Sequence, residues 1–223
     1  MDHQPGSGIC SKKNARDRLI RLAQAHPDWA LGFEDEVWWS RVAQPRLRTW
    51  AEVNQQPLRL LELERAKDDP DPKALACYGL LVRRPGRPPA KERMWLRFVD
   101  GRPLSTVTID FLKWSCHLLV RQRIKVLALI WDNAPWHVSQ MVRGWIRAHN
   151  RQVKRTGRGV RLLVCYLPSK SPWLNPIEPK WLHGKRAIVE PARLLAADEL
   201  ADRVCTRFEC AHEPHLVAPK KVP

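Results

Sequence analysis

Short apolar runs separated by polar breaks dominate the first hundred residues, and from there on such runs alternate with stretches of helical period. Residues 12–25 mix charge with Leu19, Ile20, Leu22 and Ala23, which predicts a short basic amphipathic helix. A-L-G-F-E-D-E-V-W-W reads as a buried strand with acids where it emerges. R-T-W-A-E-V-N-Q-Q-P-L-R-L predicts a strand, a tight turn and another strand. A-L-A-C-Y-G-L-L-V is a further strand, R-R-P-G-R-P-P-A-K a solvated basic loop, and M-W-L-R-F-V-D alternates as an antiparallel strand does. Between Thr106 and Arg123, Ile109, Leu112, Cys116, Leu119 and Val120 recur at helical spacing. Val126–Trp131 is apolar throughout, the mark of a strand covered on both faces in a parallel sheet. Val138–His149 is again helical and leads into a basic loop, N-R-Q-V-K-R-T-G-R-G. R-L-L-V-C-Y-L-P predicts one more strand, and helices fill 176–187 and 198–210. Strands first, then helix–strand–helix–strand–helix, is the order of an α/β fold with a mixed sheet flanked by helices.

Charge narrows the function. Lys and Arg number 39 against 23 Asp and Glu, a formal net charge of +16 in 223 residues. Such an excess favours a polyanionic partner, because each neutralised phosphate releases condensed counterions. No apolar run approaches the length needed to span a bilayer, and M-D-H-Q-P-G-S-G has no signal-peptide character, so a cytoplasmic location is expected. Six cysteines are dispersed. Cys77, Cys116 and Cys165 sit in apolar stretches, while Cys205, Cys210, His212 and His215 have a spacing weakly reminiscent of a zinc site, without a C-x-x-C pair.

Within this basic chain three acidic positions stand at element ends. Asp132 follows V-L-A-L-I-W directly, at the carboxyl end of a strand, where open α/β sheets hold ligands. An Asp-Asn turn into the next helix explains the same residue equally well. For Glu178, Asn175 would be the N-cap, Pro176 the first helical residue and Glu178 the N3 acid of a capping box; holding a metal is compatible with that role. Glu34, Asp35 and Glu36 emerge together from the first strand, and alternation sends Asp35 to the opposite face from its neighbours. The residues alone do not say which face enters a cleft.

F-E-D-E-V-W-W, W-D-N-A-P-W-H and Y-L-P-S-K-S-P-W-L-N-P-I-E-P-K-W, in this order over residues 28–190, resemble the IS630/Tc1/mariner DDE transposases, and in particular the bacterial IS630 type. The resemblance implies an RNase H-like catalytic domain over 28–190, preceded by a short basic segment at 1–27 and followed by a C-terminal helix and tail at 191–223. It implies a catalytic and metal-binding triad of Asp35, Asp132 and Glu178 using Mg²⁺, with Mn²⁺ substituting. The partners it implies are transposon-end and target DNA, with a second copy of the chain as a further partner. The Asp132–Glu178 interval exceeds the usual family spacing, with the excess in the basic Gly-containing loop. The family's N-terminal helix-turn-helix region has no counterpart, so a truncated product is expected.

In that scheme His137, Asn133 and Asn175 orient the groups of the cleft, His137 being open also to a packing role. Lys154, Arg155, Arg158, Lys170, Lys180 and Lys185 are the candidate DNA-backbone contacts. Trp136 and Trp173 flank the motifs in loops, where either rim packing or stacking on a base suits them. The expected activity is DNA cutting and strand joining by metal-dependent phosphoryl transfer. The competing readings are a nonspecific Mg²⁺-dependent nuclease and a non-enzymatic DNA-binding remnant.

Overall fold

The structure, a computed structural model, describes residues 7–42, 65–84, 92–169, 171–188 and 193–218. The strand–turn–strand expected over 48–60, most of the basic loop expected at 83–91, and Lys170 lie outside the described residues. Helix α1 (Ser7–Ala25) leads into β1 (Trp29–Ser40), followed by β2 (Ala74–Arg83), β3 (Arg93–Asp100) and α2 (Ser105–Arg121). Then come β4 (Val126–Trp131), a single turn α3 (Pro135–Val138), α4 (Gln140–Thr156), β5 (Arg161–Tyr166), α5 (Glu178–Ala187), α6 (Ala197–Arg207) and the two-residue β6 (Leu216–Val217).

The six strands form one sheet in the order β5-β4-β1-β2-β3-β6. β1 pairs antiparallel with β2 on one side and parallel with β4 on the other, and β4 pairs parallel with β5. All six residues of β4 are buried, as its unbroken apolar run requires. Alternation along β1 divides the core in two. Leu31, Phe33, Val37 and Trp39 face one side with Ala23, Trp181, Leu200 and Val204, from α1, α5 and α6. Ala30 faces the other side, with Tyr78, Trp131, Phe111, Leu112 and Val142 of β2, β4, α2 and α4. The flanking segments 1–27 and 191–223 thus supply Ala23, Leu200 and Val204 to the same core as the central segment. Among the described residues no helix is long and apolar enough to cross a membrane.

Two elements differ from expectation. The basic stretch after His149 is not a loop: α4 runs on through Thr156 and stops at Gly157, whose φ of 67° is the left-handed conformation that ends helices. Its residues are nearly all exposed and polar, so one buried contact, Val153, keeps the extra turns docked. Most of the basic stretch within the long Asp132–Glu178 interval is therefore helix. The second difference is at α5, which begins at Glu178 rather than Pro176, after a 3-10 turn over Pro172–Leu174. β6, only two residues long, leaves too short a pattern to be read from sequence.

Candidate active site

The site is built where β4 leaves the sheet. Phe33 of β1 lies beside Ile130 of β4 in parallel register, and continuing that register by two residues sets Asp132 level with Asp35. Asp35 falls on the α5 side of the sheet, the same face as Phe33 and Val37. Glu178 opens α5 on that side. The Asp132 side chain is 53% exposed, at the mouth of a cleft of about 310 Å³ that Asn133, Asn175 and Glu178 also line.

The three acids feel one another. Burial pushes the Asp35 carboxyl up to about 8, and the charges of Glu178, Glu36 and Asp132 add to that, against a lowering hydrogen bond from Trp181. Glu178 is raised as well, by burial and then by Asp132, with Lys185 acting in the opposite sense. Mutual repulsion among carboxylates in a half-buried cleft is what a hard divalent cation relieves, and the donor set is all oxygen. The residues fit a hard divalent cation.

Trp181 is the support on the α5 side. Its Nε1–H donates to Asp35 Oδ2 at 2.9 Å. The ring lies across β2 at Gly79, the residue paired with Asp35, where a Cβ would meet the indole at 2.2 Å. Gly79 is thus the space that lets α5 approach the sheet. Asn175 does not cap α5, as the capping-box reading required. Its Nδ2–H₂ crosses to the carbonyl of Glu34 at 3.0 Å and ties the turn before α5 to β1. Asn133 donates to the carbonyl of Leu167, after β5, and accepts from Lys12 of α1 at 3.5 Å.

Behind Asp132, on the other face of β1, lies a second cluster. His137 is wholly buried and stacks on Trp131 with ring centroids 4.3 Å apart. Its Nδ1 is 2.8 Å from Asp132 Oδ1, and its Nε2 is 3.0 Å from Glu36 Oε1 and 3.1 Å from Glu34 Oε2. Burial opposes charge on this ring, but the charges of Glu34 and Glu36 outweigh it and hold its pKa well above the ordinary value. The Asp132 carboxyl is kept low: burial would raise it, and the bonds from His137 and from the Ala134 N–H prevail. Glu34 is pushed up to about 8, chiefly by burial and by Glu36. The ligand atoms of Glu34, Glu36 and His137 lie within 4.8 Å of one another, a spacing that suits a metal. The same contacts make the trio a charge cluster that fixes Asp132. The Asp-Asn turn and the functional reading of Asp132 coexist, since the same oxygen accepts the Ala134 N–H.

The roles of Glu34, Glu36 and Trp181 were not legible in sequence. The only signal was strand alternation, which separates Asp35 from its two neighbours without saying what faces them. Trp136 is half-buried and donates to Glu36 Oε1 at 2.7 Å, whereas Trp173 beside the cleft is 74% exposed. Lys180 pairs with Glu92 at 3.0 Å. Lys154, Arg155 and Arg158 are exposed at the far end of α4, before β5 begins, and so at the opposite end of the parallel strands from the cleft. Cys205 is buried and Cys210 bonds back to its carbonyl; with His212 and His215 they form no four-residue metal group among the described residues.

A family model described as a DDE superfamily endonuclease matches residues 90–201, half of the chain. A search of curated proteins gives no match. Among solved structures, the chain is similar to Mos1 transposase in a paired-end complex with the left transposon end, with a TM-score of 0.61 and 15% identity over 95% of this chain and 57% of that one. It is similar to the Mos1 strand transfer complex, with a TM-score of 0.55 and 14% identity over 94% and 56%. The catalytic domain of Mos1 mariner transposase gives a TM-score of 0.51 and 12% identity over 95% and 86%. The chain spans somewhat more than half the length of the first two. At these identities the likeness is one of fold, the RNase H-like α/β architecture. Asp132, just past β4, and Glu178, at the start of α5, fall inside the matched segment, and the chain belongs to the DDE superfamily of endonucleases.

Proposed function

We propose that this chain is the catalytic domain of a Tc1/mariner-type transposase, of the IS630 kind, which cuts DNA at transposon ends and joins the freed strand to a target. Asp35, Asp132 and Glu178 are its catalytic and metal-holding residues. The observation that carries this is placement: Asp132 and Glu178 line one cleft beside the end of β4, and the strand register sets Asp35 level with Asp132 on the face that α5 covers. Family membership supports it, as does the fold shared with the mariner catalytic domain.

When bound, a pair of Mg²⁺ or Mn²⁺ ions supplies an activated water or 3′-OH and stabilises the leaving oxygen of an in-line displacement. The protein's own part is to hold the ligands. Trp181 fixes Asp35, and His137, braced by Glu34 and Glu36, fixes Asp132. Lys185 and Lys12 lend positive charge near Glu178 and Asn133, on the approach of a DNA backbone. Transposon-end DNA, target DNA and a second copy of the chain are the proposed partners.

The test is cleavage of element-end DNA with Mg²⁺ or Mn²⁺, with and without a supplied DNA-recognition domain. Asp132→Asn keeps the shape and the bond to Ala134 but removes a negative ligand. Cleavage should fall on the order of 10²–10³-fold, a usual loss when one charge-stabilising group is removed. DNA affinity should hold or rise. Cutting of any DNA without preference for element ends would leave a nonspecific nuclease. Tight binding with no cutting by the wild type under either ion would leave a DNA-binding protein without this activity.

A further inference from the structure

At the opposite edge of the sheet from β5, two histidines face each other in an arrangement the acid cleft does not explain. His212 and His215 lie in the segment joining α6 to β6. His212 Nδ1 is 2.6 Å from Asp202 Oδ1 of α6, and His215 Nδ1 is 2.6 Å from Asp100 Oδ1 at the end of β3. Each carboxylate accepts the Nδ1–H of its ring. The two Nε2 atoms then point at each other, 3.3 Å apart. In neutral rings both would present lone pairs across that gap, a repulsive contact unless an electrophile sits between them.

We propose that His212 and His215 form a metal site for a borderline transition cation of the Zn²⁺ class, with Asp202 and Asp100 as the carboxylates that set ring tautomer and orientation. Imidazole nitrogens are natural ligands for Zn²⁺, Ni²⁺ and Cu²⁺, and carboxylate-to-histidine-to-metal relays are how such rings are held. Two nitrogens each about 2.0–2.1 Å from a tetrahedral ion stand about 3.3–3.4 Å apart, which the observed spacing meets. The pair opens on a crevice whose other charged members are Asp198 and Glu213, so the field also favours a cation. Water completes the coordination. Bound there, the ion joins α6, the β6 segment and the end of β3, and its role is to clamp the C-terminal segment onto the sheet. The site is independent of the acid cleft, which is hard and all oxygen.

The full chain, stripped of metal and held in excess Mg²⁺ so that the cleft is filled, is titrated with Zn²⁺ by calorimetry while ¹⁵N spectra follow the histidine side chains. The expected result is one Zn²⁺ per chain, with the His212 and His215 Nε2 resonances shifting and the melting temperature rising. His212→Ala and His215→Ala should each weaken binding tenfold or more. Asp202→Asn and Asp100→Asn should weaken it by about 10–100-fold, as loss of an orienting carboxylate does. Asp132→Asn should leave it unchanged. No Zn²⁺ uptake by the wild type would overturn the proposal, as would uptake that leaves the two Nε2 resonances unmoved. The resonances are read in the wild type, so a variant that fails to fold does not remove the test. A single proton shared between the rings would account for the geometry if Zn²⁺ does not bind.

Discussion

At the residue scale, the site is a problem of crowded negative charge solved by position. Asp35 is raised to about 8 by burial and by its acidic neighbours, Glu34 to about 8 by burial and Glu36, and His137 is raised well above its usual value despite its burial. All three bind protons more tightly folded than unfolded. The stability they confer is therefore complete at low pH and lost as pH climbs through their folded values. Without metal, the melting temperature should fall between about pH 4 and pH 8, and added Mg²⁺ should restore more of it at pH 8 than at pH 5. A metal-free protein that gains stability from pH 6 to 8 would contradict this reading. Sequence could name Asp35 only through family resemblance, because burial and the approach of Glu178 are what distinguish it from Glu34 and Glu36. Asp132 was more legible, since an unbroken apolar strand ending in an acid fixes both depth and direction.

At the element scale, the strands were the readable part. β4 matches its apolar run to the residue, and β1, β2 and β3 lie within about a residue of their patterns. Helix ends were less readable, because they depend on partners distant in sequence. Asn175 has good capping chemistry, but α5 starts later, at Glu178, and the Asn175 amide nitrogen donates across the fold to the Glu34 carbonyl. α4 outran its apolar period because basic residues are good helix formers and Gly157, not polarity, ends it. Among the described glycines, Gly79 is where an added Cβ would come nearest a neighbour, because Trp181 stands over it. Gly79→Ala should cost about 1–3 kcal/mol by overpacking. Since Trp181 also holds Asp35, the same change should weaken Mn²⁺ binding at neutral pH. Urea denaturation and a metal titration measure the two effects; an unchanged midpoint with unchanged metal affinity would show that α5 shifts freely.

At the scale of the whole molecule, a chain of net charge +16 carries an acidic cleft. DNA affinity should therefore fall steeply with salt, each phosphate contact adding about −0.9 to the log–log slope on duplex DNA. Arg155 stands at the far end of the parallel strands from Asp132. Arg155→Ala should reduce the slope by about one unit and weaken binding at moderate salt, with cleavage at saturating DNA unchanged. Loss of cleavage at saturation would mean that the far end of α4 reaches the reacting strand. The topology also sets a schedule for the chain as it folds. β1, β2 and β3 are neighbours in sequence and in the sheet, whereas Asp132 and Glu178 reach β1 only by long-range closure. The carboxylates of the cleft first meet at that late docking step, so their repulsion opposes the step itself. A cation that gathers them acts as a folding partner as well as a cofactor, and refolding followed by stopped flow should be faster in Mg²⁺, with the gain gone in Asp132→Asn.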